Sequence, residues 1–240
     1  MSKAPLQPVT VLRGHEAHVQ SVCFHPTETK LYSGDSDGIV RVWDTDSTRS
    51  QAFQVHSRDA GVLQLAYLPA ISSKGSPTLV TQGRDGSVMR WDMDRGFGSN
   101  ACKSQKSTAC DPIMSLSTRS YHFCRMAVTN SPSPAFPYQA VALAGEDPAS
   151  PTVWDLDTGS KTMHLPKTTY GMVMSLSFPS PSLPLLMIGC DITIRSVIYI
   201  LGKPGYVSPY KWFASMFHYV CTFSLAADCL QCSPQQRGSL

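Results

Sequence analysis

One run of residues occurs twice in this chain. Ser33-Gly34-Asp35-Ser36-Asp37-Gly38-Ile39-Val40-Arg41-Val42-Trp43-Asp44 returns as Thr81-Gln82-Gly83-Arg84-Asp85-Gly86-Ser87-Val88-Met89-Arg90-Trp91-Asp92. In both copies a hydroxyl residue is followed four positions later by Asp, and that Asp six positions later by Trp. A ruler of this kind marks a structural repeat, in which one supersecondary unit cannot bury its apolar face alone and stacks on its neighbours. The question therefore shifts from catalysis to binding.

Each unit reads as four short antiparallel strands bounded by turn residues, one sheet of a β-propeller. In the first, Val22 and Phe24 share a strand face because side chains alternate. Strands at Lys30 to Gly34, Ile39 to Asp44 and Ser50 to Val55 follow. In the second, Val62, Leu65 and Tyr67 take the places of Val19, Val22 and Phe24, and His56 that of His15. The third is degraded. Tyr121 to Val128 reads as its first strand and Trp154-Asp155 ends its third, but Pro148 stands six residues before the Trp instead of Asp. A loop from Gly96 to Ser120, around a poorly marked fourth strand, joins units two and three. A fourth unit opens with Val173, Leu176 and Phe178 and runs through Leu185 to Gly189, and then the pattern stops.

The expected fold is thus all-β, an incomplete propeller of about three and a half units over 9–190. The units lie near 9–55, 56–110, 119–165 and 171–190. Residues 191–240 are expected to form a divergent tail, poorly ordered or misfolded, that replaces the rest of the ring through an alternative transcript or a misread gene. The uncharged stretch Trp212 to Ala227 is short for a membrane span. Three or four sheets of a ring leave two open ends, which invite pairing or aggregation.

Within a unit, His, Ser or Thr, Asp and Trp come from different strands and turns, so a buried chain of hydrogen bonds can run through them. Each bond nets about 0.5–1.5 kcal/mol, while an orphaned partner costs about 1–3. The expected tetrads are His15, Ser33, Asp37 and Trp43, then His56, Thr81, Asp85 and Trp91. Because the set is duplicated and tied to a Trp, a structural role outweighs a catalytic triad. No nucleophile elbow, phosphate loop or His-Glu-x-x-His is present, so no catalytic, cofactor or metal residues are assigned. The lone pair Cys229 and Cys232 lacks the second pair a zinc site needs. Turn residues Asp35, Ser36, Arg84 and Asp85 are candidates for partner contact.

Composition narrows the partners. Net charge is +3, charged residues are 15% of 240, and no basic run stands out, which gives nucleic acid no support. The N-terminus carries Pro5 and Pro8 with no apolar block, and eight cysteines without a secretory signal point to free thiols in the cytoplasm or nucleus.

Gly14-His15, Asp37-Gly38, Trp43-Asp44 and their second copies resemble WD40 repeats over Val9 to about Gly189. Val11 to His15, Val22 to Pro26, Gln82 to Gly86 and above all Tyr121-His122-Phe123-Cys124 resemble a narrower group. It is the guanine-nucleotide-binding-protein β-subunit-like and ASTRA-associated WD-repeat family, in its plant branch. The resemblance implies a non-enzymatic seven-bladed propeller whose partners are other proteins. These are components of kinase-maturation or ASTRA-like assemblies and, in plants, of the control of plasmodesmatal transport. It implies no small-molecule substrate and no membrane span. Two other WD40 roles fit less well. A G-protein β subunit needs a helix before the first unit, which starts by residue 10. A ubiquitin-ligase receptor favours Trp-Asp-x-Arg, where this chain has Asp46, Asp94 and Asp157.

Overall fold

The computed structural model describes residues 8–71, 75–94, 111–119, 121–129, 138–169, 171–179, 185–191, 196–201 and 207–211. Every regular element among them is a β-strand, and the strands form four four-stranded antiparallel sheets. Sheet 1 holds β1 (Val19–Phe24), β2 (Lys30–Asp35), β3 (Ile39–Asp44) and β4 (Ser50–Gln54) in sequence order. Sheet 2 holds β5 (Gln64–Leu68), β6 (Thr78–Gln82), β7 (Ser87–Asp92) and β8 (Met114–Ser117). Sheet 3 holds β9 (Ala127–Val128), β10 (Ala140–Ala144), β11 (Pro151–Asp155) and β12 (Lys161–His164). Sheet 4 holds β13 (Val173–Ser177), β14 (Leu185–Cys190), β15 (Ser196–Leu201) and β16 (Val207–Lys211).

Successive sheets stack face to face. Tyr32, Val40 and Phe53 of sheet 1 meet Leu65, Leu79 and Trp91 of sheet 2. Val80, Val88 and Leu116 of sheet 2 meet Val141 and Leu143 of sheet 3. Ala140, Ala142 and Val153 of sheet 3 meet Val173, Leu186 and Ile188 of sheet 4. This explains why β10 is apolar throughout: Val141 and Leu143 face sheet 2 while Ala140, Ala142 and Ala144 face sheet 4. A strand buried on both sides needs no polar alternation. The first strands gather toward one another, β1 beside β5 and β9 beside β13.

The turn between β2 and β3 requires glycine. Gly38 has φ +82°, and a Cβ there would run into the His56 carbonyl. Gly86 repeats the left-handed backbone at φ +76° in sheet 2.

The structure departs from the sequence-based boundaries in three places. The second unit does not end at 110, because its fourth strand is Met114–Ser117, paired to β7. In the third unit only Ala127–Val128 pairs as a first strand; Tyr121 to Met126 lead into it without joining the ladder. The fourth sheet does not break at 190. Ser196–Leu201 pairs with β14, and Val207–Lys211 with β15. These strands carry no Trp-Asp label, but a β-branched, aromatic run beside an unpaired edge satisfies that edge as well as a labelled one. Residues 212–240, including Trp212 to Ala227, Cys229 and Cys232, lie outside the described residues, as do 96–110 of the connecting loop.

Candidate functional site

The tetrads form at the sheet end that carries the β2–β3 and β6–β7 turns. In sheet 1, Trp43 Nε1 donates to Ser33 Oγ at 2.7 Å, and the same oxygen lies 2.6 Å from His15 Nε2. Both ring partners come from strands, whereas His15 arrives from the irregular segment before β1. The ring's other nitrogen, Nδ1, meets Asp35 Oδ2 at 2.6 Å. The carboxylate of this tetrad is therefore Asp35, not Asp37. Asp35 Oδ1 also accepts the amides of Asp37 and Ile39, both at 3.0 Å. Asp37 points outward, 3.8 Å from the exposed Arg58. The turn holds two aspartates two residues apart, and only the inner one faces the ring.

Sheet 2 reaches the same end by another path. His56 Nε2 lies 2.9 Å from Thr81 Oγ1, which also accepts Trp91 Nε1 at 3.0 Å. The position of Asp35 is occupied by Gly83. Asp85 instead acts through Ser87, whose hydroxyl is 2.5 Å from Asp85 Oδ1 and 3.1 Å from His56 Nδ1. Sequence reasoning placed Asp85 here but missed Ser87, which a hydroxyl two residues after the turn Asp could have flagged. Burial drives the His56 pKa down to about 4, so the ring is neutral. In sheet 3 the register places Leu143 where Ser33 would stand, and Trp154 donates to Thr152 Oγ1 at 2.9 Å instead.

The tetrads are sealed. Ser33 is 4% exposed and Thr81 0%, and each hydroxyl is already committed to an indole and an imidazole. Neither oxygen is open to a substrate. No group of three or more metal-ligating side chains gathers among the described residues, and no helix there is long and apolar enough to cross a membrane.

The proposed contact turns divide. Asp35 is buried at 1% exposure and serves the tetrad, so it is not a surface residue. Ser36 is half-buried, and its carbonyl receives Arg84 Nη2 at 3.5 Å. Arg84 Nε also donates to the Ala60 carbonyl at 3.1 Å, so its guanidinium ties the turns of sheets 1 and 2 together. Asp85 is exposed. Beside them stand two aromatics the sequence did not single out as contacts. Tyr121 and Phe123, 58% and 65% exposed, meet edge to face at 5.9 Å. His122 between them is buried, with both ring nitrogens unpartnered among the described residues, and burial lowers its pKa. Its amide donates to the Arg84 carbonyl at 2.9 Å, which fixes the pair next to the β6–β7 turn. At the opposite end a cleft of about 710 Å³ opens between sheets 1 and 2, lined by His25, Glu28, Lys30, Arg49, Tyr67 and Asp94. Within it Lys30 Nζ lies 2.6 Å from Glu28 Oε2.

Comparison with known proteins agrees with this geometry. The family profile described as WD domain, G-beta repeat matches residues 6–44, the span of the first tetrad. ASTRA-associated protein 1 of Verticillium alfalfae is 26% identical over 222 residues, covering 82% of this chain and 51% of that protein. Its namesake from Schizosaccharomyces pombe is 38% identical over 88 residues, 36% of this chain and 22% of the relative. WD repeat and FYVE domain-containing protein 1 of Mus musculus is 29% identical over 86 residues, 36% of this chain and 20% of that one. The chain spans about half the length of the Verticillium relative and less of the other two. Among solved structures, the computationally designed Ika4 protein shares the fold with a TM-score of 0.55 at 20% identity, covering 82% of this chain and 99% of that one. The chain matches a WD40 repeat in its first sheet, and its four-stranded antiparallel sheets share the all-β, propeller-like fold of that neighbour.

Proposed function

We propose that this chain is a non-enzymatic scaffold that binds other proteins through the sheet end bearing the tetrad turns. One observation carries the reading: the hydroxyls that could have been nucleophiles are consumed by Trp43 and Trp91, leaving the serine–histidine–carboxylate sets as architecture. What that architecture presents is an exposed rim of Asp85, Tyr121 and Phe123 beside the half-buried Ser36. Aromatic residues at a polar rim suit protein contact.

The finer reading follows the ASTRA-associated relatives. The chain acts in the cytoplasm or nucleus with components of an ASTRA-like or kinase-maturation assembly. By its Tyr121-His122-Phe123-Cys124 run it resembles the plant Decreased Size Exclusion Limit protein, which links it to plasmodesmatal transport. A ubiquitin-ligase receptor role gains nothing here, since Asp157, in the place where Arg is favoured, pairs with Arg90 at 2.7 Å.

Affinity purification of the tagged chain, beside a Tyr121→Ala/Phe123→Ala variant, tests this. Recovery of kinase-maturation components by the parent and their loss from a still-folded variant is the expected result. Equal recovery by both moves the contact face elsewhere, and recovery of none by the parent removes the assembly reading.

A further inference from the structure

We infer that the stripe Arg119, Tyr121, Phe123 and Arg125 is a docking site for an extended acidic peptide of another protein, an inference that rests on the contact rim proposed above. Exposure alternates along this part of the chain. The four stripe residues are exposed, while Thr118, His122, Cys124 and Met126 are buried. The outward order is basic, aromatic, aromatic, basic. The matching approach to β5 in sheet 2, Ala60 to Leu63, is buried throughout. The difference has a local cause. In sheet 1 position 34 is Gly, and Val62 packs so close that a Cβ there would clash with its side chain. The corresponding residue of sheet 2 is Gln82. Its fully buried side chain reaches the incoming chain instead: Nε2 donates to the Cys124 carbonyl at 3.0 Å, and Oε1 accepts the Met126 amide at 2.8 Å. One side-chain amide thus stands in for a neighbouring strand. The His122 amide is fixed on the Arg84 carbonyl at 2.9 Å. The stripe is therefore held in place before any partner arrives, which lowers the ordering cost of binding.

Charge names the occupant. Among the described residues, neither Arg119 nor Arg125 pairs with a carboxylate. Arg125 commits one nitrogen, Nη2, to the Gln20 carbonyl at 3.2 Å. Arg119 sits at φ +55°, a left-handed backbone that costs any residue with a side chain, so a cation is held where glycine would fit with less strain. The exposed acid nearby, Asp85, is already engaged, its Oδ1 accepting the Ser87 amide at 3.0 Å and hydroxyl at 2.5 Å. The amides of Tyr121, Phe123 and Arg125 have no acceptor among the described residues, so an extended chain laid beside them meets free donors. Two open guanidiniums bracketing two rings complement carboxylates that bracket apolar side chains. Six residue steps span at most about 20 Å, the reach of a peptide of about seven residues. Single-stranded nucleic acid also uses cations and rings, but it follows a continuous basic groove, and this stripe holds two cations.

Fluorescence anisotropy on the full chain with two labelled probes tests the site. One probe is a short peptide alternating Glu with Leu, and the other carries Lys in place of every Glu. The acidic peptide should bind at micromolar concentration and the basic one at least about tenfold more weakly. Arg119→Gln and Arg125→Gln should each weaken the acidic peptide about tenfold, the scale of one charge-assisted hydrogen bond. Tyr121→Ala/Phe123→Ala should abolish its binding, and all variants should keep the circular dichroism spectrum of the parent. Equal binding of the two peptides, or acidic-peptide binding indifferent to both arginines, overturns the inference. So does a single-stranded oligonucleotide that binds more tightly than the acidic peptide. The affinity purification separates this site from the broader reading. Partners lost from Tyr121→Ala/Phe123→Ala but kept by Arg119→Gln/Arg125→Gln sustain the contact rim and overturn the acidic ligand. Arginine-dependent peptide binding without recovery of kinase-maturation components sustains the acidic ligand and removes the assembly reading.

Discussion

His15 Nδ1 lies 2.6 Å from Asp35 Oδ2, and this contact, buried at both ends, anchors the segment before β1 onto sheet 1. His15 comes from a stretch with no strand of its own, so its place depends on side-chain bonds rather than on a ladder.

Asp35→Asn should therefore destabilise the protein by about 2–4 kcal/mol, since it weakens the bond to His15 and two backbone amides at a buried site. Asp37→Asn, two residues on and half-exposed, should change stability by no more than about 0.5 kcal/mol. Urea denaturation of the two variants distinguishes them. Equal costs would mean that the carboxylate has been assigned to the wrong turn residue.

The sheet 2 hydroxyl joins an indole and an imidazole at one oxygen. Thr81→Val should cost about 1–3 kcal/mol because Trp91 Nε1 and His56 lose their shared partner. Thr81→Ser keeps the oxygen and should cost less. Trp91→Phe combined with Thr81→Val should cost less than the sum of the two, as expected for members of one network. Additive costs in a thermal-denaturation cycle would show that the bond carries little coupling.

Stability should fall with pH between about 6.5 and 4. The His56 pKa is about 4 in the folded chain and about 6.5 when unfolded, so in this window the unfolded chain binds the extra proton. The contribution is complete above 6.5, declines on acidification, and is gone below 4; its full size is up to about 3 kcal/mol. Buried His122 acts in the same direction. Asp44, lowered by the amides of Ser47 and Asp46, and Asp147, lowered by Lys167, lose their contribution only below the usual carboxylate range. Denaturation midpoints of the parent and His56→Asn across pH 4 to 7 provide the check. The variant should show the shallower slope.

Arg90 joins sheets 2 and 3. Its guanidinium donates to Thr78 Oγ1 at 3.1 Å, the Leu156 carbonyl at 3.0 Å, Asp157 Oδ1 at 2.7 Å and Gln139 Oε1 at 2.7 Å. A single ammonium cannot span this fan, so Arg90→Lys should lose about 1–3 kcal/mol despite keeping the charge. Faster amide exchange at β10 and β11, with β2 and β3 unaffected, is the signature expected. Uniform protection across all sheets in the variant would refute the role.

Local chemistry wrote much of this fold into the sequence. The strand runs around Tyr32, Val42, Val80 and Val88, the glycine turns at Gly38 and Gly86, and the indole-to-hydroxyl spacing are short-range features, set by side-chain alternation and by φ. Contacts between distant segments were legible only in three dimensions. Spacing cannot choose between Asp35 and Asp37, because both lie in one turn and the choice belongs to a ring arriving from residue 15. Nor can it enlist Ser87 as a bridge, or seat Ser196–Leu201 beside β14, since a neighbour's open edge selects the strand whatever its label. The bare face at Val22 and Phe24 was equally hidden. Its residues match their buried counterparts in the next sheet, and only the stacking shows that the described residues cover Leu65 and leave Val22 and Phe24 exposed.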